Sequence, residues 1–476
     1  MNFARDVVDA APSDGRALVA IDRAGVRCEL SFGEVAERSA RLAGTLTAHG
    51  VLRGDVVMTL VGNRPEWALT LVACWRIGAV ALPCAEMLRP GDLRARMDAV
   101  EPRLVVADAR NVETVLETGY DGPLLRVPDA RLFEADPAPA AELDPLEPAL
   151  VVFTSGTAGE PKPVRHGHRY LAGQAVQAEH WLGARPGELC WCTAASGWSK
   201  SARNAFVAPW LRGAAALLED RRFDPAERLA TIERERVSVL CMAPTEYRTV
   251  AKAVPLRPLP GLRHAVAAGE PLNPEMVRLW QQECGVAIRD GYGQTETGAL
   301  TGMPLDEDVR PGSMGRPLPG FRIWVEDGEL CLDPGTVPTF QLDGGEGTWR
   351  TGDRVREDAE GFLWFEGRTD DVIISSGYRI GPFEVESALV SHPAVAEAAA
   401  VAHADPERGA VVRAVVVLRA GCRPSDGLAL ELQEHVKGRT APYKYPRILE
   451  FADSLPKTSS GKIRRAELRR AAAPAA

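Results

Sequence analysis

Between Ser31 and Asp108 the chain alternates between two hydrophobic periods, and this alternation restricts the fold more than any other feature of the sequence. Ser31 to His49 carries apolar residues at helical spacing behind a Ser31 cap, with Gly50 as the stop. VVMTLVG then reads as a strand, Pro65 to Ile77 as a helix, AVALPC as a strand, Gly91 to Ala99 as a polar helix and RLVVAD as another strand. Strands separated by single helices need crossover connections, so they form a largely parallel sheet with helices packed on it. After the Pro-rich, acidic stretch LFEADPAPAAELDPLEP the same pace resumes. Helices are expected at Tyr170 to Trp181, within Arg203 to Leu211 and at Pro225 to Glu235, with strands at Leu189 to Thr193, Ala214 to Leu218 and Ser238 to Met242. Two αβ layers side by side follow, and they suit 476 residues, which exceed one simple core.

From Gly315 the pattern changes to short strands and tight turns, with hairpins at Asp327-Gly328 and across REDAEGFLWFEGR, read as a small β-barrel-like subdomain. Thr369-Asp370-Asp371 then leads into a compact α+β region with a helix opened by Pro382, strands near Val395 to Val401 and Val411 to Leu418, and a helix ending before Ala441. The expected fold class is α/β, with a large N-terminal domain, residues 1–369, and a small mobile α+β C-terminal domain, residues 370–476. A net charge of -9 gives no general attraction to nucleic acid or anionic lipid, so an anionic ligand must be held by local groups. The N-terminus carries Asp6 and Asp9 without a long apolar stretch, and the longest apolar region, Ala68 to Cys84, contains Arg76 and Pro83. It reads as a buried helix and strand, with no membrane span. Nine scattered cysteines without zinc spacing read as reduced, buried thiols of a cytoplasmic protein.

Five loops carry candidate chemistry. VVFTSGTAGEPKPV breaks from an apolar run into Thr154, Ser155, Gly156, Thr157, Gly159 and Lys162, a set of donors suited to a polyphosphate, although without Walker spacing, and read alone such a loop is more often an ordinary surface turn. Ala268-Gly269-Glu270-Pro271 follows the apolar run HAVAA and reads alone as a plain turn. Asp290 to Glu296 sets a tyrosine, a hydroxyl and a carboxylate between glycines, either to stack a base, bond a phosphate and hold Mg²⁺, or as a tight turn with a buried ring. Asp353 and Arg368 suit two ribose hydroxyls or a structural ion pair. Pro456 to Lys462 presents a lysine in a loop, where solvated charge is the ordinary reading.

TSGTAGEPK, AGEP, DGYGQTE, WRTGD, GRTDDVI, SSGYRIGPFEVE and PKTSSGKIRR occur in the order and approximate spacing of the adenylate-forming superfamily of acyl-CoA synthetases, luciferases and peptide-synthetase adenylation domains. The chain resembles that superfamily from about Asp6 to Arg469, and CTAASGWSKSARNAFVAPWLRGAAALL and APYKYPR resemble its short- and medium-chain acyl-CoA synthetases. The resemblance implies an AMP-forming ligase that uses ATP, Mg²⁺ and coenzyme A. It places Thr154, Ser155, Gly156, Thr157, Gly159 and Lys162 around the β- and γ-phosphates, Thr295 on the α-phosphate and Glu296 on Mg²⁺. Tyr292 would stack on adenine with Gly269, Glu270, Pro271, Asp290 and Gly291 at its edges, and Asp353 and Arg368 would hold the ribose. Lys462 would stabilise charge at the α-phosphate, Asp370 would be the hinge, and Gly377 would border the pantetheine tunnel, with Arg379 near phosphates and Lys444 toward CoA.

The sequence departs from the family pattern at Ala158, where a second threonine is usual, and at Pro163. No Asp or Glu lies between Leu189 and Leu218, so the acid is expected to lack an α-amino group. Trp198 and Gly298 are candidate pocket walls, and Lys200, Arg203 and Arg212 face a second carboxylate, CoA phosphates or solvent. An acyl carrier protein thiol, or an amine, is the alternative acceptor. Intact Glu296, Asp353 and Lys462 argue against a fold retained only for binding.

Overall fold

The computed structural model describes residues 1–154, 162–345, 347–375, 378–457 and 463–471, with backbone only for Arg379 and Ala471. Both expected layers are present. The first sheet runs Leu124–Val127, Leu104–Asp108, Val56–Leu60, Val80–Pro83, Pro148–Phe153, Pro163–Gly167 across its width. Its pairings are parallel except the last, where Phe153 opposes Pro163. That antiparallel return brings Thr154 opposite Lys162.

The second sheet has nine strands, in the order Arg316–Pro317, Gly298–Gly302, Ile288–Gln294, His264–Ala268, Val239–Met242, Leu189–Cys192, Ala215–Glu219, Arg16–Ile21, Arg27–Ser31. Its six middle strands, from Ile288–Gln294 to Arg16–Ile21, pair in parallel. The strand Arg16–Ile21 crosses from the start of the chain to lie against Ala215–Glu219, a partnership that no local pattern announces.

Local signals explain the helix ends. Helix Phe32–Ala48 opens with a capping box: Ser31 Oγ accepts from the Glu34 N–H at 3.2 Å while the Glu34 carboxylate accepts from the Ser31 N–H at 2.8 Å. Helix Pro65–Ile77 starts on proline and ends at Gly78, φ 77°. Its Trp67 and Trp75 are fully buried, because this helix lies in the core shared by the two layers. Rings from distant segments meet there edge to face, Phe3 with Trp75 and Trp67 with Phe206, each pair at 5.4 Å.

Strands Ile323–Glu326, Glu329–Leu332, Trp349–Glu357 and Leu363–Arg368 form an antiparallel four-stranded sheet. Its first turn has Asp327 at φ 53° and Gly328 at φ 77°, the left-handed pair a two-residue hairpin needs. The sheet packs on the second layer through Leu300, Leu332, Val337 and Phe340. The C-terminal region contains the hairpin Ile373–Ser375 and Tyr378–Ile380, helices Pro382–Val390 and Asp426–Arg439, and a sheet of Val395–Asp405, Gly409–Leu418 and Ile448–Phe451 around its own core. It meets the larger region where the Phe383 ring lies 6.4 Å from that of Phe365, where Lys252 Nζ donates to the Ala396 carbonyl at 2.9 Å, and where Arg439 is 3.4 Å from Glu275.

All nine cysteines are free, but only seven are buried. Cys28 and Cys422 are exposed: the first lies on the edge strand Arg27–Ser31 and the second in a surface turn. No described helix is long and apolar enough to cross a membrane.

Candidate active site

The candidate site lies at the carboxyl ends of the parallel strands His264–Ala268 and Ile288–Gln294, where open αβ sheets offer a crevice. The chain leaves the first strand through Gly269 at φ 97°, a backbone turn that favours glycine. Glu270 Oε2 accepts from Thr245 Oγ1 at 2.5 Å, and Lys200 Nζ donates to the Ala268 carbonyl at 2.9 Å. These contacts fix the edge formed by Gly269, Glu270 and Pro271.

On the second strand, Asp290 is buried, and its Oδ1 accepts from the Gly291 N–H at 2.9 Å. Burial pushes its pKa well above the usual carboxylate range. Gly291 opposes Gly302 in the antiparallel ladder, and the Trp181 ring covers both; an added Cβ would come within 2.6 Å of that ring at Gly291 and 2.7 Å at Gly302. The glycine at 291 is thus required by packing from below.

Tyr292, Gln294, Asp353 and Arg368 converge above. The Tyr292 hydroxyl donates to Asp353 Oδ2 at 2.5 Å, Gln294 Nε2 donates to the same oxygen at 2.7 Å, and Arg368 Nη1 lies 3.3 Å from Oδ1. Asp353 and Arg368 are direct cross-strand partners, so the ladder sets their approach. Gln294 Nε2 also donates to the Thr351 carbonyl at 2.8 Å, which ties the two sheets together. Burial raises the Asp353 pKa against the pull of Tyr292 and Arg368, and burial together with the Asp353 charge holds the Tyr292 phenol well above its ordinary value. Gln294 was not singled out from sequence. Its signal was strand alternation, which puts residues 292 and 294 on one face.

The turn after Gln294 is held through its backbone. His166 lies against the Thr295 carbonyl with Nε2 at 2.9 Å, and the Gln341 N–H donates to the Glu296 carbonyl at 2.8 Å. Burial lowers the His166 pKa to about 3, so the ring is neutral at pH 7 and its Nε2–H is the donor. The Glu296 carboxylate, half-buried, has no hydrogen-bond or ion-pair partner among the described residues. The Thr295 hydroxyl and the Glu296 carboxylate are oxygen groups of the kind Mg²⁺ takes. The Thr154 N–H donates to the Lys162 carbonyl at 3.0 Å and closes the base of the first loop.

Of the remaining candidates, Trp198 carries a buried Nε1–H without a partner, and Gly298 packs so closely on Thr339 that a Cβ would lie 2.9 Å from its side chain. Asp370 is exposed, with Oδ1 3.7 Å from Arg368 Nε. Lys444 Nζ pairs with Glu384 inside the C-terminal region, and Arg379 falls on the strand Tyr378–Ile380. Ser155, Gly156, Thr157, Gly159, Gly377 and Lys462 lie outside the described residues.

Residues 5–341 match the family of AMP-binding enzymes, and residues 384–462 match the AMP-binding enzyme C-terminal domain. The chain belongs to the AMP-binding enzymes. It is 38% identical to an uncharacterised acyl-CoA ligase, YtcI, of Bacillus subtilis, over 95% of this chain and 92% of that protein. It is 36% identical to the mitochondrial acyl-coenzyme A synthetase ACSM3 of Rattus norvegicus, over 98% of this chain and 90% of the relative. Among solved structures, an acyl-CoA synthetase of Brucella canis is similar with a TM-score of 0.76 and 34% identity, covering 99% of this chain and 94% of that one. An anthranilate CoA ligase, AuaEII, solved with anthranoyl-AMP, superposes with a TM-score of 0.88 and 26% identity over 98% and 97% of the two chains. In this AMP-binding enzyme, Tyr292 and Gln294 are hydrogen-bonded to Asp353 and Thr351, and Ala268 pairs with Gly291 beside them.

Proposed function

We propose that the chain is an AMP-forming acid:CoA ligase: a carboxylate attacks the α-phosphorus of ATP, pyrophosphate leaves, and the CoA thiol then displaces AMP from the acyl-adenylate. The observation that carries this reading is the convergence of Tyr292, Gln294, Asp353 and Arg368 beside the Thr295–Glu296 turn, in a chain similar over nearly its whole length to acyl-CoA synthetases.

The acid is ionised at pH 7, so the first step needs no general base; it needs alignment and charge neutralisation. Tyr292 offers a ring for adenine, and its hydroxyl is anchored on Asp353. Asp353 Oδ1 keeps accepting capacity beyond Arg368 and takes the ribose hydroxyls. Thr154, Thr295 and Lys162 serve the phosphates. Glu296 would hold Mg²⁺, which offsets phosphate charge as pyrophosphate departs. Lys462 supplies the further cation at the α-phosphate. Rotation about Asp370, between a domain of residues 1–369 and one of residues 370–476, then exchanges Lys462 for the Gly377 segment. The absence of acidic residues between Leu189 and Leu218 supports an acid without an α-amine.

The test is AMP release from purified protein with ATP and Mg²⁺ over a panel of aliphatic and aromatic acids, with and without CoA. Sustained release that requires CoA is the expected result. A single enzyme-limited burst that CoA does not turn over would overturn the CoA assignment and point to a carrier-protein thiol or an amine.

A further inference from the structure

Four arginines are buried among the described residues, and three of them hold a carboxylate: Arg76 with Asp9 at 2.5 Å, Arg228 with Glu219 at 3.2 Å, and Arg413 with Glu450 at 2.6 Å. The fourth is Arg203. It is 6% exposed, its Nε and Nη1 are buried without a hydrogen-bond partner, and no carboxylate reaches it among the described residues. A guanidinium taken out of water without a counter-charge is strongly unfavourable. Such a site is expected where a ligand completes it.

Arg203 follows Trp198 on the segment that walls the candidate acid pocket, and it opens the helical turn Arg203–Val207. Its charge acts on the buried Tyr170 phenol, which also hydrogen-bonds it, on His166 and on the Cys241 thiol, while Nε and Nη1 stay unpartnered. The next residue, Asn204, accepts from Gln177 Nε2 at 3.0 Å and reaches Cys241 Sγ at 3.7 Å. Tyr170 stacks on His166 at 4.1 Å, and His166 donates to the Thr295 carbonyl. Arg203 thus lies two side chains behind the turn where the acid is activated. Lys200, the other cation on this segment, is engaged with the Ala268 carbonyl.

We propose that Arg203 selects the acid substrate, binding the second carboxylate of a short dicarboxylic acid whose first carboxylate is adenylated. This rests on the ligase reading above. The unspent N–H groups of a planar guanidinium match carboxylate oxygens, and the bound acid would supply the missing counter-charge.

The experiment compares succinate, glutarate and adipate with butyrate, valerate and hexanoate by AMP release, for wild type, Arg203→Met and Arg203→Lys. Wild type is expected to favour at least one dicarboxylate over its length-matched partner by about tenfold or more in kcat/KM. Arg203→Met should reverse that ratio without changing KM for ATP, and Arg203→Lys should keep part of it. A wild-type preference for the monocarboxylates, or equal loss of both acid classes in Arg203→Met, overturns the assignment. A second readout is the thermal midpoint with each dicarboxylate alone, which should rise for wild type and Arg203→Lys but not for Arg203→Met. No such rise in wild type overturns the Arg203 assignment. A rise without AMP release on any acid overturns the ligase reading instead.

Discussion

Asp353 accepts from Tyr292 and Gln294 on one oxygen and faces Arg368 on the other, so its charge organises three neighbours as well as the proposed ribose contact. Asp353→Asn keeps the shape but sets an amide N–H₂ against existing donors and leaves Arg368 without its nearest counter-charge. Loss of a hydrogen bond to a charged group costs about 1.5–3 kcal/mol, so KM for ATP should rise roughly tenfold to a hundredfold with a smaller fall in kcat. Steady-state rates at varied ATP measure this, and an unchanged KM would remove Asp353 from the nucleotide site. At this scale, type and spacing made Tyr292, Asp353 and Arg368 legible in sequence. Arg203 could be noticed as a cation, but not as a buried one. The missing counter-charge depends on what the fold places around it, and its neighbours Tyr170, His166 and Cys241 come from three other elements.

The strands Ile288–Gln294 and Gly298–Gly302 pair so that Gly291 and Gly302 lie opposite each other beneath Trp181, at the end of helix His168–His180. A methyl group at Gly302 would lie 2.7 Å from the indole, a distance that forces the helix end or the strand to move. Gly302→Ala should therefore cost about 1–3 kcal/mol of stability. The thermal midpoint should fall, and the fall should shrink in a Trp181→Leu background, since the two residues share one contact. Equal falls in both backgrounds would contradict the packing argument. Elements of this kind were legible singly. Helix Pro65–Ile77 and the hairpin at Asp327-Gly328 sit where proline, glycine and periodicity put them. Their partners were not: Arg16–Ile21 pairs with a strand about 200 residues away, and pairing across that separation leaves no periodic trace in either segment. Helices Pro244–Ala253 and Pro274–Cys284 were equally legible, each opening on a proline with its apolar residues on one face, and the sequence reading does not include them.

How the C-terminal region meets the larger one depends on contacts such as Phe365 with Phe383 and Lys252 with Ala396, which have no sequence signature. Lys457 bridges to Ile463 and pairs with Glu397 at 2.7 Å, and Arg469 holds Asp371, next to the proposed hinge, at 2.5 Å. If the same domain serves both half-reactions in turn, removing its lysine should damage only one. Lys462→Ala is expected to lower acid-dependent ATP–pyrophosphate exchange by roughly a hundredfold or more, the cost of deleting one preorganised charge at a transition state. Thioester formation from supplied acyl-adenylate should stay within a few-fold of wild type, because AMP departure occurs after that lysine has left the crevice. Parallel loss of both half-reactions would mean that Lys462 stays at the site throughout, and the alternating arrangement would have to be abandoned.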